Sequence, residues 1–285
     1  MTDSPATALS REVRAAEPIH VTRQTVGLAG LGFLVWGVGY LMLWTFSTGT
    51  RLAWVLCALG PILLGAAALN HLDHHRRRFG LPALTLLNIA IVGQAAVFLP
   101  YAINPDLRAA TGWAEFTYDA WGVSWLLGAL GVLMVQARKE SRLSHGDRSA
   151  ETEVHASFFQ LTTLAVGMLL YGISFIGLST DRTNHTFGWL SVIGPALIAV
   201  SIIAHLEHLT LRIGRPAVTL AILGASAWAA KNLARAVTDL MSDPTWSTLL
   251  VYGVQGVILL VGAVACLLTL RHKQAWELTG GRVGL

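Results

Sequence analysis

Charge is what this sequence has least of. Only 13% of its 285 residues are Asp, Glu, Lys or Arg, against roughly 25% in a soluble globular domain. Cysteine is almost absent: Cys57 and Cys266 both fall inside apolar stretches, where a thiol serves as a small packing residue rather than half of a disulfide framework. Lysine is scarce too, with Lys139, Lys231 and Lys273 the three among 20 basic residues. There is no phosphate-cradling Gly-Lys-Ser/Thr loop, no Gly-x-Ser-x-Gly elbow and no His-Glu-x-x-His helix. The polar segments are too short for an ATPase domain, which argues against a self-powered pump. No nucleic-acid-binding module is present, and no nucleic-acid partner is expected.

What the chain has instead is long apolar runs, near 25–46, 52–70, 82–104, 116–137, 158–178, 187–205, 216–238 and 247–270, and a mean hydropathy of +0.57. About 20 residues rising 1.5 Å each cross a ~30 Å hydrocarbon core. Lipid supplies no partner for backbone groups, so each run is expected to be a helix. The ~10-residue alternating segments of a β-barrel are missing. The expected fold is an all-α integral membrane protein of eight transmembrane helices in contact with the lipid bilayer. Arg11, Arg14, Arg23, Arg76–Arg78, Arg138, Lys139, Arg142, Arg148, Arg212, Arg215, Arg271, Lys273 and Arg282 fall on one side of these spans. Arg51, Arg108 and Arg182 fall on the other. The positive-inside rule then places both termini in the cytoplasm of a plasma (inner) membrane. Residues 1–24 carry no cleavable-signal pattern and are expected to be a cytoplasmic tail. The bias to Arg, Ala, Gly and Leu suggests a bacterial source.

The two halves of the chain resemble each other. HLDHHRRRFGLPALTL (71–86) matches HLEHLTLRIGRPAVTL (205–220) at nine of sixteen positions. Gly32, Gly37 and Gly60-Pro61 recur as Gly167, Gly172 and Gly194-Pro195, and Tyr118 and Gly122 recur as Tyr252 and Gly256. A duplication is expected, with repeats at 25–140 and 158–273, a mobile linker at 141–157 and a C-terminal tail at 274–285. An even number of spans per unit makes the copies parallel, related by a pseudo-twofold axis along the membrane normal.

Two sets of residues carry possible chemistry. His71, Asp73, His74 and His75, with the counterparts His205, Glu207 and His208, are expected at the cytoplasmic ends of the second and sixth spans. An i,i+3 pair puts two imidazoles on one helix face, so a transition metal or haem is one expectation. A protonation switch is another, and simple capping of a helix end by interfacial histidines is the third. The second set is Lys231, Asn232 and Arg235, late in the seventh span, with Asp119, Glu115 and Asp239 as candidate acidic partners. Charges inside a span mark substrate or anion sites; alternatively the span ends at Ala230 and both cations snorkel to the headgroups. The functions in view are a transporter or permease-like component, a non-catalytic accessory subunit beside other membrane subunits, and a membrane metal- or haem-binding protein. A non-enzyme is favoured.

Overall fold

The apolar runs are helices in the computed structural model, which describes residues 21–46, 50–110, 112–238 and 240–279. In order they are α1 (Arg23–Thr45), α2 (Arg51–Leu69), the short α3 (Leu72–Phe79), α4 (Leu81–Ile103) and α5 (Trp113–Ser144). There follow α6 (Ser149–Glu153), α7 (Phe158–Thr180), α8 (His185–Ile203), the short α9 (Leu206–Ile213), α10 (Arg215–Val237) and α11 (Pro244–Leu278). All but α3, α6 and α9 are long and apolar enough to cross a membrane, which makes eight such helices among the described residues. The protein is a multi-pass membrane protein, all-helical in its described residues. Of the expected tails and loops, Arg11, Arg14, Arg282 and Asp239 lie outside the described residues.

Each long helix packs against the long helices before and after it in the chain, and α11 packs back on α1. The eight therefore close a ring. An ion pair between Arg23 and Glu277 brings the two ends of the ring to one face, here called the termini face. Large apolar side chains on the outside of the ring stand exposed at helical spacing, as Leu52, Val55, Leu59 and Ile62 do on α2. That is the surface lipid would cover.

Close helix approach rests on glycine. A Cβ added at Gly122 on α5 would sit 2.8 Å from the carbonyl oxygen of Gly172 on α7. One added at Gly37 on α1 would sit 3.0 Å from the carbonyl oxygen of Gly256 on α11. Both seams bring backbone against backbone, as small residues allow in membrane helices. The short helices end at Gly80 (φ 82°) and Gly214 (φ 86°), where the left-handed backbone favours glycine, and Pro82 and Pro216 then fall in the first turn of the next helix.

The seventh apolar run, expected at 216–238, is α10, which continues to Val237 and carries Lys231 and Arg235 within it. The 141–157 segment makes contacts of its own. It is folded onto the end of α5, because Arg142 pairs with Asp147 and Glu153. Lys139, 6% exposed, donates to the carbonyls of Val154 and Ala156, each at 2.8 Å. Lys139→Met leaves both carbonyls unmatched, at a cost of about 1–3 kcal/mol. It is expected to make residues 145–157 cleavable under limited proteolysis that spares the wild type.

Candidate functional site

The histidine motifs stand apart from the spans that precede them. The chain breaks at Asn70–His71 and at Ala204–His205, so the motifs open the separate helices α3 and α9 instead of ending α2 and α8. This corrects the expected placement, and it gives the acids a local role. Asp73 and Glu207 fall in the first turn of their short helices, where a negative charge meets the positive end of the helix dipole.

The rings gather within each motif. The centroids of His71, His74 and His75 lie 4.6, 5.2 and 6.1 Å apart. His75 Nδ1 lies 3.2 Å from the Ala68 carbonyl, and His71 Nε2 is buried without a hydrogen-bond partner. In the second motif His205 and His208 are 4.7 Å apart, and the 141–157 segment adds His155, 4.5 Å from His208. These three rings border a cleft of about 640 Å³ with Glu207 and Arg212. Among the described residues no group of three or more His, Cys, Asp or Glu side chains is placed to hold a metal ion.

Burial, then Arg78 and Lys273, holds His71 below the usual imidazole range, and burial, then Lys139, does the same for His205. For His208, burial comes first, followed by His155, His205, Arg212 and Arg78, and together they push it down to about 3. A histidine depressed in the folded state takes up a proton more readily when unfolded, so stability falls as pH drops from 6.5 toward 3. The thermal midpoint of the wild type is therefore expected to fall on acidification below pH 6.5, and that of His208→Gln to fall less.

The second set of residues faces a partly open pocket. A cavity of about 250 Å³ lies inside the ring, lined from α1, α4, α5, α7, α10 and α11. Its lining includes Arg235 near the end of α10, Tyr118 near the start of α5 and Leu250 near the start of α11, which extends it into the half of the ring away from the termini face. Lys231, Asn232 and Arg235 all line it. Asn232 is held by its own amide, which donates to the carbonyls of Ser191 at 3.1 Å and Trp228 at 3.0 Å. Arg235 donates to the Tyr118 hydroxyl at 3.3 Å and lies 5.8 Å over the Tyr118 ring. Among the described residues neither Lys231 nor Arg235 is in an ion pair. Asp119 does not line the cavity, and Glu115 pairs with Arg182 instead, at 3.4 Å.

The chain matches no known protein family, curated protein or solved structure. Much of the cavity's remaining lining is aromatic, built by Trp36, Trp121, Trp125, Tyr171, Phe175 and Trp228. Trp228 donates to the Tyr171 hydroxyl at 2.8 Å, and the Trp36 indole N–H is buried with no partner. A π-helical stretch, Leu249–Val254, interrupts α11 beside the cavity and puts Leu250 and Val251 in the wall. Such π turns recur at functional sites because they re-aim side chains within a helix. The aromatic wall and the π turn were not anticipated from the sequence. The wall was hidden because aromatics in a membrane helix read equally as an interfacial belt. The π turn has no sequence signature of its own.

Proposed function

We propose that this protein is a transporter or permease-like component of a plasma (inner) membrane, and that it binds a small anion in the cavity at Lys231, Asn232 and Arg235. The observation that carries the reading is the pair of like charges, one helical turn apart, facing one cavity without an acid among the described residues. Two desolvated cations in a low-dielectric space repel each other and are costly unless an anion joins them. Both termini are assigned to the cytoplasm, on the basic residues of the termini face.

The proposal includes two parallel four-helix repeats around a pseudo-twofold axis along the membrane normal. It is supported by matched helix lengths: α1 to α4 run 23, 19, 8 and 23 residues, and α7 to α10 repeat that order. The glycine seams support it as well, because Gly37–Gly256 and Gly122–Gly172 pair residues that are equivalent in the two copies. The copies differ at the cavity. Val97 and Tyr101 occupy the positions of Lys231 and Arg235 in the first copy, packed in a core with Trp54 and Phe98. A symmetric scaffold with charge on one side only is suited to binding one small ligand off its axis.

Liposomes carrying the protein are expected to take up labelled benzoate faster than empty ones, and Lys231→Leu to remove the difference. Uptake unchanged by Lys231→Leu would take the cavity out of the function. Saturable binding without uptake would assign the protein to the accessory subunits.

A second reading, metal or haem at His71, Asp73, His74 and His75 or at His205, Glu207 and His208, is favoured by one observation: the buried, unpartnered His71 Nε2 beside two further imidazoles. The rings must turn before they share an ion. Purified protein with no stoichiometric metal and no Soret band would end that reading.

A further inference from the structure

The lining of the cavity says more about its ligand than its charge does. We propose that it takes a single-ring aromatic carboxylate, with the carboxylate at Lys231 and Arg235 and the ring among the aromatic side chains. This rests on the anion-binding reading above and narrows it.

Size sets the first limit. About 150 Å³ holds a benzene molecule, so about 250 Å³ holds one ring with a carboxylate and a few further atoms. Polarity sets the second. Lys231 and Arg235 supply donors, so the ligand must bring acceptors. A cation is excluded even though aromatic cages are good cation sites, because two positive charges already face the space.

The wall sets the third limit. Trp121, Trp125, Tyr171, Phe175 and Trp228 form one connected aromatic cluster, with ring centroids 4.8–5.3 Å apart between neighbours and mutual tilts from 50° to 84°. Edge-to-face packing of this kind extends naturally to one more ring. Inorganic phosphate fits poorly, since a fully hydrated ion would exchange its water for indole faces. A short aliphatic acid would satisfy the cations and leave the aromatic wall without a partner.

The test is calorimetric titration of the full-length protein in detergent with four probes: benzoate, benzyl alcohol, acetate and cyclohexanecarboxylate. Benzoate is expected to bind saturably. Benzyl alcohol, which keeps the ring and loses the charge, is expected to bind about tenfold more weakly or worse. Acetate is expected to be weaker by at least as much, and cyclohexanecarboxylate by about three- to tenfold. Lys231→Met is expected to weaken benzoate by about tenfold or more, with benzyl alcohol unaffected.

Acetate or cyclohexanecarboxylate binding as tightly as benzoate would overturn the aromatic assignment and leave the anion site standing. Benzyl alcohol binding as tightly as benzoate, or no probe binding at all, would overturn both. The probe series on the wild type decides the question even where a variant does not fold.

Discussion

Lys231→Met is expected to make the protein more stable and less functional at once. The side chain lies in a membrane-spanning helix, faces a cavity walled by indole and phenyl rings, and has Arg235 one turn further on. Removing one of two like charges relieves both desolvation and repulsion, while Met keeps the length and apolar stem of Lys. The gain is about 2 kcal/mol, or a rise in the thermal midpoint of about 4 °C or more for a chain of this size. Benzoate binding is expected to fall in the same variant. Arg235→Met is expected to gain less, because Arg235 already donates to Tyr118 and lies over its ring. Lys231→Glu places an acid one turn from Arg235, so it should stabilise by an intrahelical pair while closing the cavity to anions. Midpoints measured in one detergent across these three variants order the contributions. A lower midpoint for Lys231→Met would show that the cation has a compensating partner, and the anion site would lose its physical basis.

Opposite effects on stability and binding are the signature of a group kept for a ligand rather than for the fold. They also separate the two sequence-level readings of Lys231. A cation that snorkels to the headgroups is already solvated, and its removal changes little.

The number of spans was readable from the sequence because hydropathy over about 20 residues is a direct record of what lipid permits. Helix limits followed to within a few residues wherever Gly, Pro or a polar cap marked them, as at Gly80, Pro82, Gly214 and Pro216. Where two adjacent helices share one polar stretch, the reading failed. His71 and His205 looked like the last turn of a span and are the caps of separate short helices, because the break before them depends on backbone geometry that Asn70 and Ala204 do not announce. For the site, Lys231, Asn232 and Arg235 were conspicuous because charge is rare in a span. Their partners were not. Asp119 is close in sequence to the right helix turn, yet it does not line the cavity. Which of Tyr118, Trp121 and Trp125 turn inward is decided by how α5 seats on α7, a tertiary fact with no local signal.

That seating is sensitive to a single added methyl group, and Gly122→Ala and Gly172→Ala are both expected to destabilise the protein. A Cβ at Gly122 meets the Ile176 Cγ1 at 2.5 Å and the Gly172 carbonyl at 2.8 Å, and one at Gly172 meets the Gly122 carbonyl at 2.9 Å. Real Cβ contacts are essentially never under 3.0 Å, and a carbonyl in a helix cannot rotate away, so α5 and α7 must move apart. Overpacking of this kind costs about 1–3 kcal/mol. The displacement reaches the cavity directly, because Tyr118, Trp121 and Trp125 on α5 face Tyr171 and Phe175 on α7. Gly37→Ala on the other seam is expected to be milder than Gly122→Ala: its nearest neighbour is the flexible end of Leu260 at 2.9 Å, with the Gly256 carbonyl at 3.0 Å. Gly27→Ala is the control, since a Cβ there meets nothing within 4 Å. It is expected to stabilise α1 slightly, by up to about 1 kcal/mol, through helix propensity alone. Thermal midpoints should therefore rank Gly27→Ala above wild type, Gly37→Ala and Gly172→Ala below it, and Gly122→Ala lowest. If the two α5–α7 variants matched wild type, the helices would have room to part, and backbone contact would not be what closes the ring. If instead they lost stability while Gly37→Ala did not, the ring would have one rigid seam beside the aromatic wall and one that yields, and movement that admits a ligand would belong to α1 and α11, the helix that carries the π turn.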